Sequence, residues 1–133
     1  MARVTVTQRQ IQNYLTSRRL MPTKDGSLSQ MYFQYVRDAL RRELDWSLKF
    51  VDFVGIVTKE CAYCGMNPYK TNSKSGDVLV NGVDRKDNDK GYCLPNVVPC
   101  CSICNKMKGT LDHTTFIRFC KMIAGKAISD ARS

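Results

Sequence analysis

The sequence predicts an α+β fold: a β-hairpin running into a short helix, braced by a pair of cysteine knuckles and flanked by helices on both sides. Three observations predict it. Two Cys-x-x-Cys pairs, Cys61-Ala-Tyr-Cys64 and Cys101-Ser-Ile-Cys104, stand far apart in the chain. Between them lie two short runs rich in β-branched residues, separated by a polar loop, and the second pair opens a helical stretch that a glycine can end. Outside them, apolar residues recur at helical spacing.

Taken in order, residues 5–19 (TVTQRQIQNYLTSRR) set Ile11 and Leu15 four apart among polar residues, which suits an amphipathic helix. Residues 21–30 read as a linker. Residues 31–44 place Tyr32, Tyr35, Val36 and Leu40 on one stripe, with Arg37, Arg41 and Arg42 largely away from it. Trp46, Phe50 and Phe53 are core candidates. VLVNGVDR, residues 78–85, reads as a strand; KDNDKGYCLP is the loop, and NVVPC, residues 96–100, the second strand. SICNKMKG, residues 102–109, reads as a helix that Gly109 ends. LDHTTF begins another helix, whose Phe116, Phe119, Cys120 and Ile123 share a face expected to be core. The expected organisation is an N-terminal helix and linker over 1–29, one domain over 30–125 with its hairpin and helix at about 78–109, and a tail over 126–133.

A chain of 133 residues is long enough for one domain with a modest core. No apolar run approaches a membrane span, and MARVTVTQRQIQNYL lacks the apolar centre of a signal peptide, so a soluble, cytoplasmic protein without a membrane partner is expected. The net charge of +9 is uneven: +5 over residues 1–50, zero over 51–99 and +4 over 100–133. A basic surface around a carboxylate-bearing segment fits a polyanionic partner such as nucleic acid, although charge alone also suits a merely basic domain.

Seven cysteines is an odd number. Paired thiolates two residues apart turn both sulfurs toward one ion, so Cys61, Cys64, Cys101 and Cys104 are the expected ligands of a structural zinc. Disulfides are the alternative, and a reducing cytoplasm disfavours them. Cys100 competes with Cys101, but only Cys101 keeps the two-residue gap to Cys104. Cys93 and Cys120 lie outside both knuckles and read as small apolar residues.

GVDRKDNDKG, residues 82–91, gathers Asp84, Asp87 and Asp89. A solvated turn would account for that composition. A dedicated calcium loop would not, because counted from Asp87 the fifth position is Gly91 and no glutamate closes a twelve-residue loop.

CAYCG at 61–65, NGVDRKDNDKGY at 81–92 and NVVPCCSICNKMKG at 96–109, in that order and spacing, resemble the HNH endonucleases, whose core is a ββα-metal finger often flanked by a four-cysteine zinc site. The resemblance covers roughly residues 30–125. It implies a metal-dependent DNA endonuclease or nickase. Asp84 and Asn105 would be the ligands of a catalytic divalent cation, commonly Mg²⁺, and Asn96 would tie the loop between the strands. Arg85 stands where the water-activating histidine is expected. Arginine stays protonated, which makes it a poor base and a good phosphate clamp. Asp87 is then the first substitute as base, with Asp84 or hydroxide on the metal as others; His113, the single histidine, suits a capping or exposed role better. Lys86, Lys90, Lys106 and Lys108, with Arg85, are candidate phosphate contacts. The departure at Arg85 also keeps open a catalytically weak or inactive zinc-stabilised DNA-binding module of the same fold. Similar proteins are common in bacteriophages, as mobile nucleases or as partners of DNA packaging, and the sequence is compatible with either, and with a homodimer.

Overall fold

A computed structural model describes residues 26–71 and 79–132. The helix expected over 5–19 lies outside them. The described elements run α1 (Gly26–Arg41), α2 (Phe50–Val57), β1 (Lys70–Thr71), β2 (Leu79–Val80), β3 (Gly82–Arg85), a 3₁₀ turn at Leu94–Asn96, β4 (Val97–Cys100), α3 (Ser102–Lys108) and α4 (His113–Ala131). The expected α+β architecture is what forms.

Helix α1 begins at Gly26, inside the segment read as a linker. Its apolar stripe buries Leu28, Tyr32, Val36 and Ala39. Tyr32 is the hub of an aromatic core: its ring meets Phe33, Trp46, Phe50 and Phe53 edge-on at 5.3–5.6 Å, the arrangement that the ring quadrupoles favour. Its hydroxyl and the Trp46 Nε1–H both donate to the Leu48 carbonyl, each at 2.8 Å, so the polar ends of two buried rings are satisfied by one acceptor. Helix α2 starts where the Asp52 carboxylate accepts the Lys49 N–H at 2.9 Å, and it buries Phe50, Phe53, Ile56 and Val57 against α1 and the β3–β4 hairpin.

The strand expected over 78–85 is broken into two. The Asn81 N–H donates to Val57 O (2.7 Å) and its Nδ2 to Lys59 O (2.8 Å), so this buried residue caps the end of α2 instead of extending a ladder. Before it, β2 pairs antiparallel with β1, Thr71 opposite Leu79. After it, β3 pairs antiparallel with β4 in the register Gly82–Cys100, Val83–Pro99, Asp84–Val98 and Arg85–Val97. Pro99 is tolerated because β4 has β3 on one side only.

Two glycines carry geometry. A Cβ on Gly91 would sit 2.4 Å from the Asp45 carbonyl oxygen, so only glycine lets the loop lie on the segment before α2. There Tyr92 N–H donates to Asp45 O and Ser47 N–H to Tyr92 O, at 2.8 and 2.9 Å. Gly109, at φ +56, ends α3 as expected.

Helix α4 departs from expectation. Asp112, not His113, caps it, its carboxylate accepting Thr115 N–H at 2.8 Å, a bond that holds the Asp112 carboxyl below its ordinary range. The helix runs to Ala131, through the segment read as a tail. Only Phe116 is buried; Phe119 is 42% and Ile123 67% exposed, so the face expected to be core is open. The spacing predicted the helix correctly but not a partner for its face. No described helix is long and apolar enough to cross a membrane.

Candidate active site

The four knuckle cysteines converge. Their Sγ atoms all lie within 4.8 Å of one another, with Cys64 and Cys101 at 3.8 Å. A tetrahedral zinc with bonds of about 2.3 Å would hold its sulfurs ~3.8 Å apart, whereas a disulfide needs about 2.0 Å. Cys61, Cys101 and Cys104 are buried and Cys64 is exposed. Burial pushes the Cys61 thiol up, but N–H groups of Cys64, Cys101 and Tyr63 outweigh it and bring the thiol down to about 6. Cys104 is pushed up by burial and by the neighbouring sulfurs. One thiolate forms readily at Cys61 while Cys64 and Cys104 resist joining it, the behaviour of a donor set completed by a cation. Cys100 stays a thiol, raised first by burial and then by Asp84, with its Sγ donating to Cys101 O at 3.4 Å.

The hairpin delivers Asp84 to a cleft of about 430 Å³ lined by Tyr35, Arg42, Arg85, Asn88, Tyr92 and Asn105 among others. Asp84 is 7% exposed and is the one carboxylate in that lining. Its Oδ2 accepts from the Tyr63 hydroxyl at 2.6 Å, and its Oδ1 lies 3.3 Å from the Lys108 ammonium. Lys108 has no exposed side-chain surface, and it also donates to Arg85 O at 3.2 Å. The expectation that Lys108 reaches a phosphate is therefore corrected: a buried ammonium paired with a buried carboxylate is an internal counter-ion. Asn105, exposed on α3, lines the same cleft.

The loop between the strands is closed on itself. Asn96 is buried; its Nδ2 donates to Asp87 O and Gly91 O (3.1 and 3.0 Å), and its Oδ1 accepts Asp87 N–H at 3.0 Å. Arg85 is buried too. Its Nη1 donates to Asn88 O at 2.7 Å and Lys90 O at 2.9 Å, and its guanidinium lies 5.5 Å from the centre of the Tyr92 ring. Asp87 does not line the cleft; its Oδ1 accepts Asp89 N–H at 2.9 Å, an Asx turn. Lys86 is half-buried, and Lys90 and Lys106 are exposed. Asn88 donates to Thr110 O, and His113 N–H to Lys86 O at 2.9 Å, fastening the loop to the start of α4.

Three contributors were not legible as site residues. Tyr63 lies inside a knuckle, Arg42 in the turn just after α1, and Asn88 in what reads as a turn. The only signal was that Arg42 stood off the apolar stripe. The two hydroxyl and ammonium contacts to Asp84 span 21 and 24 residues of sequence, and no local pattern announces them.

A β-hairpin bearing an acidic residue at the end of its first strand, an asparagine that pins the connecting loop and an oxygen donor on the following helix define an HNH-like fold. The solved structure of the rare-cutting HNH restriction endonuclease PacI shares it, at a TM-score of 0.55, 23% identity and 78% coverage of each chain. An uncharacterized protein of Acanthamoeba polyphaga mimivirus is 38% identical over 96 residues, 72% of this chain. The chain spans 17% of that relative's length. No family model matches the chain.

Proposed function

We propose that the protein is a metal-dependent DNA endonuclease or nickase, stabilised by zinc on Cys61, Cys64, Cys101 and Cys104. The observation that carries the reading is the convergence of Asp84 and Asn105 on one cleft in an HNH-like fold. Asp84 and Asn105 offer hard oxygen donors, which suit Mg²⁺ or a similar cation. Each Asp84 oxygen keeps a lone pair beyond its contact with Tyr63 or Lys108. A divalent cation held there would supply charge neutralisation on the phosphoryl oxygens and help for the departing 3′-oxygen.

The chain's own residues do the rest. Arg42 and Asn88 face the cleft beside Asp84 and would orient the scissile phosphate, while exposed Lys90 and Lys106 and half-buried Lys86 would hold flanking phosphates without reading sequence. Arg85 keeps the loop in shape through two carbonyls, and Asn96 keeps the loop shut.

A second reading, a DNA-binding module that cuts weakly or not at all, is favoured by one observation: a buried guanidinium, a poor base, follows Asp84, and among the described residues the cleft lining holds no carboxylate or imidazole besides Asp84. Incubation of the purified protein with supercoiled plasmid and Mg²⁺, Mn²⁺ or Ni²⁺ separates the two. Metal-dependent nicking that Asp84→Ala and Asn105→Ala both abolish is the expected result. Binding without nicking under all three metals would refute the enzyme.

A further inference from the structure

We propose that Tyr63 is a positioning residue for Asp84 and through it sets the affinity of the cation site. The proposal rests on the reading of Asp84 as a cation ligand.

Tyr63 lies between the two cysteines of the first knuckle, and that turn is held by backbone hydrogen bonds. Cys61 N–H donates to Met66 O and Gly65 N–H to Cys61 O, both at 2.9 Å, while Ala62 N–H donates to Pro99 O at 2.8 Å and fastens the knuckle to β4. The Tyr63 ring is gripped between His113, 5.2 Å away and tilted by 42°, and Phe116, 5.2 Å away and edge-on. Its one free end, the hydroxyl, reaches Asp84 Oδ2 at 2.6 Å.

The direction of the hydrogen bonds follows from chemistry. The Tyr63 hydroxyl donates to Asp84 Oδ2, and the Lys108 ammonium faces the other oxygen. The tyrosine oxygen is then the acceptor for His113 Nδ1 at 3.2 Å, which assigns the ring proton to Nδ1. The result is a chain of donors, His113 to Tyr63 to Asp84. With Tyr63 on one oxygen and Lys108 on the other, the carboxylate plane is fixed from two elements, the knuckle and α3. Outer contacts of this kind orient a ligand before the cation arrives, and their loss lowers metal affinity about 10–100-fold. The knuckle, fastened to β4, carries the hydroxyl, so its fold places the donor that orients Asp84.

The test uses the full-length, zinc-loaded protein without DNA, with Mn²⁺ as probe, titrated by calorimetry. Tyr63→Phe keeps the ring and removes only the hydroxyl. It is expected to weaken Mn²⁺ binding about 10–100-fold while zinc content and the far-ultraviolet spectrum stay as in the wild type. Mn²⁺ affinity equal to the wild type would overturn the proposal. Should Tyr63→Phe lose zinc, His113→Phe takes its place, since it keeps a ring against Tyr63 and removes the Nδ1 donor: weaker Mn²⁺ binding supports the proposal, and unchanged binding refutes it. Asp84→Ala distinguishes this failure from failure of the underlying reading. Mn²⁺ bound as in the wild type by Asp84→Ala removes Asp84 as a ligand and the proposal with it; Mn²⁺ lost in Asp84→Ala but retained in Tyr63→Phe removes the positioning role alone.

Discussion

Replacing Lys108 by Met isolates the buried ion pair on which Asp84 depends. The ammonium and the carboxylate are 3.3 Å apart, with 0% and 8% of their side-chain surfaces exposed. At an effective dielectric of about 20, Coulomb's law gives roughly 5 kcal/mol across that distance. Much of this is offset by desolvation in the intact pair, but methionine, similar in volume, leaves the carboxylate desolvated without its counter-ion. Such removals cost about 3–5 kcal/mol. The Tyr63 hydroxyl still solvates Oδ2, which places the expected loss near the lower end, about 3 kcal/mol, even though Arg85 O also loses its Lys108 donor.

The assay is urea unfolding of the zinc-loaded protein in the absence of other divalent cations. With a slope of about 2 kcal/mol per molar urea, a 3 kcal/mol loss lowers the midpoint by about 1.5 M. The double variant Lys108→Met with Asp84→Asn should recover most of the loss, because the neutral amide still accepts from Tyr63 and needs no counter-ion. Added Mn²⁺ should stabilise Lys108→Met more than the wild type, since a cation that binds only the folded state adds RT ln(1 + [L]/Kd) and the competing ammonium is gone. A single variant within about 0.5 kcal/mol of the wild type, a range typical of surface changes, would show that Lys108 is not the counter-ion of Asp84. A double variant no more stable than the single would refute the charge argument.

Other consequences are equally direct. Gly91→Ala should destabilise the fold by about 1–3 kcal/mol, as overpacking does, because its Cβ would press on the Asp45 backbone; a urea midpoint like that of the wild type would contradict the close approach. Asp87→Asn keeps an oxygen for the Asp89 N–H and lies outside the cleft lining. Its nicking rate should stay within a few-fold of the wild type, whereas a loss of about 10²-fold or more, the scale of a missing general base, would return the proton transfer to the loop. Removing zinc with a chelator, or through Cys61→Ser together with Cys104→Ser, should lower metal content to zero and unfold the knuckle with the end of β4; metal content unchanged by the double substitution would refute the ligand set.

How far the site could be read from the chain depends on how local each signal is. Cysteine spacing is local, and the four sulfurs meet as two knuckles should. Gly109, the helices around Tyr32 and Phe53 and the pairing of β3 with β4 follow from patterns a few residues long. The tying role of Asn96 came from the resemblance and not from a local pattern; its amide donates to Asp87 O and Gly91 O. Asn81 escaped notice because a capping role for α2 requires knowing that α2 ends beside it. Lys108 resembled every other basic residue near the site; only the fold shows that the last turn of α3 aims it inward at Asp84. The open face of α4 marks the opposite limit, since periodicity identifies an apolar stripe but not what lies against it.

The three aspartates of GVDRKDNDKG separate into three chemically different groups once the loop is folded. Asp84 is buried between a hydroxyl and an ammonium, Asp87 caps the turn, and Asp89 is exposed. Only the first meets the cleft. Arg85 spends its charge on the carbonyls of Asn88 and Lys90 and on the Tyr92 ring, so the residue that follows Asp84 shapes the loop from within. A histidine in its place could not span both carbonyls, because its two ring nitrogens point apart while one guanidinium nitrogen serves both. The loop's geometry and the lack of a base at that position are thus two results of one side chain.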